Sequence, residues 1–212
     1  AGSALMGNPS SAIKIVEAVV SAVDCPVTVK MRTGINKTQI NAVTLAQEFE
    51  KCGAQAITIH GRTRDCSYKI PAEYDTVKKV KQNIKIPVLL NGDISDGKVA
   101  ALAIEKSGAD GIMIGRGACG NPWIFSMIRA YLNGVEYIPP DENTILDVLE
   151  NYIDSLYSLY GSNRGILIAR KHVKWFLLKS VLNQHGEPAE FNKLKDVFEQ
   201  KNFLTKIREK IV

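Results

Sequence analysis

Val88-Leu-Leu-Asn-Gly-Asp-Ile94 and, one helix length later, Gly111-Ile-Met-Ile-Gly-Arg-Gly117 decide how this chain folds. Each is a short apolar run that breaks into a glycine-containing turn carrying polar side chains. A strand buried on both faces of a parallel sheet has that unbroken apolar character. Glycine in the turn lets the main chain come close to a ligand. In a (β/α)8 barrel the turns after the last two strands are the usual phosphate site. The two runs therefore predict parallel strands that deliver a phosphorylated cofactor or substrate site.

The pattern extends in both directions. Ser11 to Val23 carries apolar residues at helical spacing, and Pro26 introduces the strand Val27 to Arg32. Thr38 to Cys52 is amphipathic, and Ala56 to His60 is the next strand. Tyr74 to Gln82 is the next helix, ahead of the strand Val88 to Asn91. Asp96 caps a helix that Gly108 ends, Gly111 to Ile114 is the last strand, and Pro122 opens a further helix. Strand and helix thus alternate through four βα units, at the spacing of roughly thirty residues expected of βαβ folds.

Polar residues recur at one place in each unit. Lys30 and Arg32, His60, Asn91 and Asp93, and Gly115 and Arg116 all fall at or just past strand C-terminal ends. In a βα barrel those ends converge on one face, so distant residues become neighbours. Taken singly, each has a structural reading: Lys30 as a snorkelling or ion-paired side chain, His60 as a satisfied core histidine, Asn91-Gly92-Asp93 as an ordinary Asn-Gly turn. Gly115-Arg116-Gly117 is the strongest, since a guanidinium pairs with phosphate bidentately where glycines let the backbone approach.

Composition sets the limits. The chain has 212 residues, 45% hydrophobic and 23% charged, a globular mixture. No apolar run approaches the ~18 residues of a membrane span. The four cysteines, Cys25, Cys52, Cys66 and Cys119, have no metal-type spacing and read as reduced thiols of a cytoplasmic protein. No metal site and no protein partner are implied. The net charge of +5 hints at a polyanionic partner.

Beyond Pro139-Pro140 the βα texture stops. Thr144 to Tyr160 has a helical apolar stripe, Gly161 breaks it, a second helix runs from about Gly165 to Leu182, and a third from Glu190 continues in pieces to Val212. The expected organisation is a βα domain over 1–138 and a helical domain over 141–212. From Ser155 to Gly186 there is no Asp or Glu, whereas Arg164, Arg170, Lys171, Lys174 and Lys179 all fall there. Like charges at helical spacing repel. Their concentration without acids points to a polyanion as counter-charge, with an ordinary basic surface helix as the alternative.

Several motifs together resemble one family. They are Pro26-Val-Thr-Val-Lys-Met-Arg-Thr-Gly34, Ile57-Thr-Ile-His-Gly-Arg-Thr-Arg64, Asn91-Gly-Asp-Ile94, Met113-Ile-Gly-Arg-Gly117, Asn121-Pro-Trp-Ile124 and Ala169-Arg-Lys-His-Val-Lys-Trp175. The set resembles the tRNA-dihydrouridine synthases, their bacterial B-type above all, from Ala1 to at least Leu178. The resemblance implies an α/β protein, an FMN-binding (β/α)8 TIM barrel followed by a small all-helical domain. It also implies NADPH as reductant and uridines of the tRNA D-loop as substrate. Lys30 would supply a cation at the flavin N1/C2=O edge, and His60 would contact the cofactor or the flipped base. Asn91, Gly92 and Asp93, with Gly115 and Arg116, would cradle the ribityl phosphate. The Asp93 carboxylate would orient amides or hydroxyls, since it repels phosphate. Arg32 and Arg62 would sit at the substrate mouth and meet RNA, as would Arg170, Lys171, His172 and Lys174 on the helical domain. Trp175 would pack within the bundle.

The chain also departs from the family pattern. Family members carry an upstream half with the first four strands, ending in a G-C-P motif whose cysteine is the proton donor. Only four βα units are legible here, and no barrel closes from so few when ~250 residues are typical. The expectation is therefore the C-terminal half of the barrel, with no catalytic residue of its own and no activity alone. Cys66, past His60, reads as incidental. Two other readings stay open: a non-flavin barrel enzyme acting on a sugar phosphate, and a non-catalytic RNA-binding remnant.

Overall fold

The computed structural model describes residues 2–211. Ala1, where the resemblance begins, and Val212, where the last helical stretch was expected to end, lie outside the described residues. After a 3-10 turn over Gly2–Gly7, α1 (Pro9–Ala22) opens at Asn8, whose side chain accepts the Ser11 amide at 3.2 Å. It leads into β1 (Thr28–Arg32).

A helix was expected from Thr38. The chain instead turns back first as an antiparallel pair, β2 (Gly34–Asn36) with β3 (Gln39–Ile40), and α2 (Ala42–Lys51) starts only afterwards. The Asn36 side-chain oxygen accepts both the Thr38 amide, at 3.0 Å, and the Thr38 hydroxyl, at 2.8 Å. Such a local turn competes with helix formation. Gly34 permits it, because a Cβ there would lie 2.2 Å from the Gln39 carbonyl oxygen.

Then follow β4 (Ala56–His60), α3 (Asp75–Asn83), β5 (Val88–Asn91), α4 (Gly97–Ser107) and β6 (Gly111–Met113). Asp96 caps α4 through the Val99 amide at 2.8 Å, and Gly108 ends it in the left-handed conformation at φ 65°. The four strands pair in parallel in the order β1-β4-β5-β6. The fold is α/β with a parallel sheet.

Register decides where the chemistry lies. Arg32 pairs with His60, His60 with Asn91, and Asn91 with Met113, so one row crosses the C-terminal ends of all four strands. Successive residues of a strand point to opposite faces. The row behind it, Met31, Ile59, Leu90 and Ile112, therefore belongs to the other face, where Ile57, Ile59, Val88 and Leu90 are fully buried. Lys30, two positions before Arg32, shares the face of His60 and Asn91.

By its contacts the chain divides into a unit ending at Gly117 and a second beginning at Ala118, ahead of the Pro139-Pro140 pair. The second contains α5 (Ile124–Leu132), α6 (Glu142–Lys179), a 3-10 turn over Val181–Gln184, α7 (Pro188–Phe191) and α8 (Val197–Arg208). Asp141 caps α6 by accepting the Thr144 amide at 2.7 Å, and Gly161, at φ 72° and ψ 162°, interrupts it where the sequence places a break. Leu146, Leu149, Ile153, Val173, Leu177, Leu182, Phe191 and Ile207 form the core of this unit. Acids on the first half of α6 are matched by α8. Arg208 meets Asp147 at 2.6 Å and Glu150 at 2.7 Å, and Lys201 meets Asp154 at 2.7 Å. Among the described residues no helix is long and apolar enough to cross a membrane.

Candidate functional site

The row of strand ends opens onto a cleft of about 440 Å³ lined by Lys30, His60, Arg62, Tyr68, Asn91, Gly92, Asp93, Gly115 and Arg116, among others. All seven residues expected to hold a cofactor line it. The parallel register brings Lys30, His60 and Asn91 together across three strands, and the turns after β5 and β6 add the rest.

Asp93 is the centre of the network. It is a non-glycine residue at φ 53°, a rare conformation that Asp tolerates better than most. Gly92, at φ 141°, precedes it, and a Cβ at Gly92 would come 2.7 Å from the Ala72 side chain. This turn aims the Asp93 carboxylate at three donors: Arg62 at 2.5 Å, the Ala72 amide at 2.9 Å and Arg116 at 3.2 Å. Burial pushes the Asp93 pKa up, but the Arg62 hydrogen bond, the Ala72 amide and the Arg62 and Arg116 charges outweigh it and hold the group below the usual carboxylate value. Asp93 is thereby committed to cations and amides.

Arg62 is a correction. Expected at the substrate mouth to meet RNA, it is only 2% exposed. Its guanidinium donates to the Ile70 carbonyl at 2.7 and 2.9 Å as well as to Asp93. A guanidinium so enclosed serves the loop between β4 and α3 rather than a phosphodiester backbone. Arg32 shows the same habit in part, donating to the Thr63 carbonyl at 2.5 Å.

His60 is buried, and its Nε2 lies 3.3 Å from Arg62 Nη1. An arginine can only donate. Nε2 therefore carries the lone pair, which places the proton of the neutral ring on Nδ1. Burial, followed by the charges of Arg32, Lys30 and Arg62 and opposed by Asp93, brings the His60 pKa down to about 4. The imidazole is neutral at physiological pH. Lys30 is also lowered, by burial and then by the Arg32 charge. The Asn91 side chain donates to the Met113 carbonyl at 2.9 Å and ties β5 to β6.

Tyr68 escaped sequence reasoning. Its ring lies against His60, with centroids 6.0 Å apart, and receives the guanidinium carbons of Arg116 at 4.4 Å, Arg62 at 5.6 Å and Arg32 at 5.9 Å. The aromatic face supplies the negative quadrupole that lets three arginines gather. A tyrosine eight residues past a strand has no periodicity to announce it.

The turn backbone adds donors. Among the described residues the amides of Asp93, Ile94 and Ser95 have no acceptor. Free amides in a turn, with Arg116 opposite, suit an anion. No group of side chains suited to a metal ion is found among the described residues.

In the helical unit the expected RNA-contacting residues separate into two kinds. Arg170 turns inward: it donates to the Leu194 carbonyl at 2.9 Å, and its Nε is buried without a partner among the described residues. That overturns its expected place beside Lys171 and Lys174 on a solvent face. His172 is half-buried, 2.9 Å from the Tyr152 hydroxyl through Nδ1. Lys171 and Lys174 are exposed. Trp175, expected inside the bundle, is half-exposed instead and lies outside the core cluster, under the Lys171 ammonium at 4.6 Å.

A family model described as dihydrouridine synthase (Dus) matches residues 1–212. The tRNA-dihydrouridine synthase B of Proteus vulgaris is 44% identical over 201 residues, covering 94% of this chain and 62% of that protein. The enzymes of the same name from Yersinia pestis and Shewanella oneidensis are 45% and 46% identical over the same coverage. The chain thus spans 62% of the length of these curated relatives. Since the match runs along the whole sequence, and the strand-end motifs that carry it line one cleft, the chain belongs to the dihydrouridine synthase family.

Proposed function

We propose that this chain is part of an enzyme that reduces uridine to 5,6-dihydrouridine in the D-loop of tRNA, with FMN as cofactor and NADPH as reductant, in the cytoplasm. The four parallel strands are read as the C-terminal half of its (β/α)8 barrel. The observation that carries the proposal is the cleft at the strand ends, lined by Lys30, where Arg62 and Arg116 meet one carboxylate, Asp93, beside turn amides that have no acceptor among the described residues.

These residues suit FMN. Its phosphate fits the turns after β5 and β6, where Gly115 and Arg116 lie and where a Cβ at Gly115 would meet no atom within 4 Å. When bound, FMN supplies hydride to the pyrimidine ring. Lys30 holds positive charge at the far end of the cleft, where negative charge develops on reduction. His60 presents a neutral ring with its proton on Nδ1, a donor that keeps its state across the physiological range. Arg62, Asp93 and Tyr68 do not touch the reacting atoms in this reading. They fix Arg116 and the loop after β4. A uridine within the D-loop must leave its stack to reach such a cleft. Lys171 and Lys174 provide charge for the tRNA backbone.

The test is complementation. A strain lacking its own dihydrouridine synthases receives the gene for the whole protein of which this chain is a part, and its tRNA nucleosides are analysed by mass spectrometry. Dihydrouridine is expected to return to D-loop positions. tRNA that stays unmodified while the protein accumulates with bound flavin overturns the assignment of substrate, and protein without flavin overturns the assignment of cofactor.

A further inference from the structure

A second cavity, of about 330 Å³, lies in the helical unit and plays no part in the proposed reduction. Its walls include the rings of Tyr152, His172, Trp175 and Phe176, and its floor includes Cys119 and Gly120. The rings are held edge to face: Tyr152 and Trp175 each lie 5.1 Å from His172, at 80° and 90°. Gly120 makes the close approach possible, since it sits at φ 71° and a Cβ there would lie 2.3 Å from the Trp175 carbonyl carbon. The cavity also has a polar pair, the Tyr152 hydroxyl and His172 Nδ1 at 2.9 Å.

Charge identifies the occupant. On the first half of α6, Asp147, Glu150 and Asp154 all meet cations of α8. On the second half, Lys171 and Lys174 have no carboxylate partner among the described residues, and Lys171 lies directly over the Trp175 ring. An apolar peptide would fill the rings but leave those ammonium groups unmatched. A nucleotide of single-stranded RNA satisfies both, because its base stacks on aromatic rings while its phosphates neutralise lysines.

We propose that this cavity takes one unstacked nucleobase of the bound tRNA, with Lys171 and Lys174 on the flanking phosphates and the Tyr152–His172 pair against the base edge. It is a second RNA subsite, carried by residues of the helical unit. The inference rests on tRNA being the substrate.

The experiment uses the full protein and unmodified tRNA. Trp123→Phe leaves Trp175 as the sole indole of these 212 residues, and the part of the fluorescence lost on further changing Trp175→Leu is expected to be quenched on titration with tRNA. Trp175→Leu is expected to weaken tRNA binding about tenfold without changing its salt dependence, because stacking is not ionic. Lys171→Ala with Lys174→Ala is expected to lower the slope of log K against log salt by about 2. Binding of tRNA that leaves the Trp175 emission unchanged, or full affinity in a folded Trp175→Leu variant, overturns the subsite and leaves the proposed activity standing. Failure of the protein to bind tRNA under any salt condition overturns both.

Discussion

The Arg62 guanidinium meets the Asp93 carboxylate at 2.5 Å with its own side chain only 1% exposed, across 31 positions of sequence. The pair joins the loop after β4 to the turn after β5. Removing Arg62 leaves Asp93 with only the Ala72 amide and the more exposed Arg116 as partners in a partly dry place. Arg62→Met is expected to cost about 2–4 kcal/mol, below the fully buried case because Asp93 is a third exposed. Arg62→Lys is expected to recover little, since an ammonium cannot span Ile70 and Asp93 as a guanidinium does. Urea unfolding of each variant measures this, and a wild-type midpoint for Arg62→Met would show that the pair carries no stability.

His60 gives a pH signature. The folded state keeps its ring neutral down to about pH 4, whereas an unfolded histidine takes its proton near 6.5. Stability from the neutral ring is therefore complete above 6.5 and is lost as the pH falls from 6.5 towards 4. Nitrogen NMR is expected to show the Nδ1–H form above the transition and a midpoint near 4. A midpoint near 6.5 would contradict burial among Arg32, Lys30 and Arg62.

Arg116→Ala is expected to weaken FMN retention by about 1.5–3 kcal/mol, the value of a charge-assisted hydrogen bond. Arg116→Lys is expected to restore only part, because a lysine does not reproduce the stacking of the guanidinium over Tyr68. Flavin fluorescence titration reads both, and unchanged affinity in Arg116→Ala would remove it from the phosphate site.

Arg170 is expected to behave unlike its neighbours. Arg170→Ala loses the bond to the Leu194 carbonyl and packing in the helical unit, so the melting temperature should fall. Lys171→Ala and Lys174→Ala should leave the unfolding free energy within about 0.5 kcal/mol of wild type, as exposed substitutions do. Equal thermal behaviour of all three would return Arg170 to the solvent face.

Much of this was legible in the sequence. Ala56 to His60 and Val88 to Asn91 form strands with the expected ends, and Asp96, Gly108 and Gly161 act as the cap, stop and break that their chemistry suggests. These are local effects, decided within a few residues. The hairpin at Gly34 to Ile40 was missed because the Asn36 turn outweighs an amphipathic pattern that begins at Thr38. The inward turn of Arg62 and Arg170, and the gathering of three arginines on Tyr68, depend on partners 24 to 48 positions away or on the path of a loop. Arginine reads as surface until the acceptors that enclose it are known.

The strand order sets a length scale for whatever enters the cleft. From β1, which carries Lys30, to β6, which ends just before Arg116, the sheet takes three steps, each to a neighbouring strand. At about 4.8 Å per step those ends stand on the order of 14 Å apart. A free phosphate ion is too small to reach both ends. A ligand that feels both must be elongated and carry its anion at one tip, so mononucleotide-like cofactors are discriminated from small sugar phosphates by reach as much as by charge.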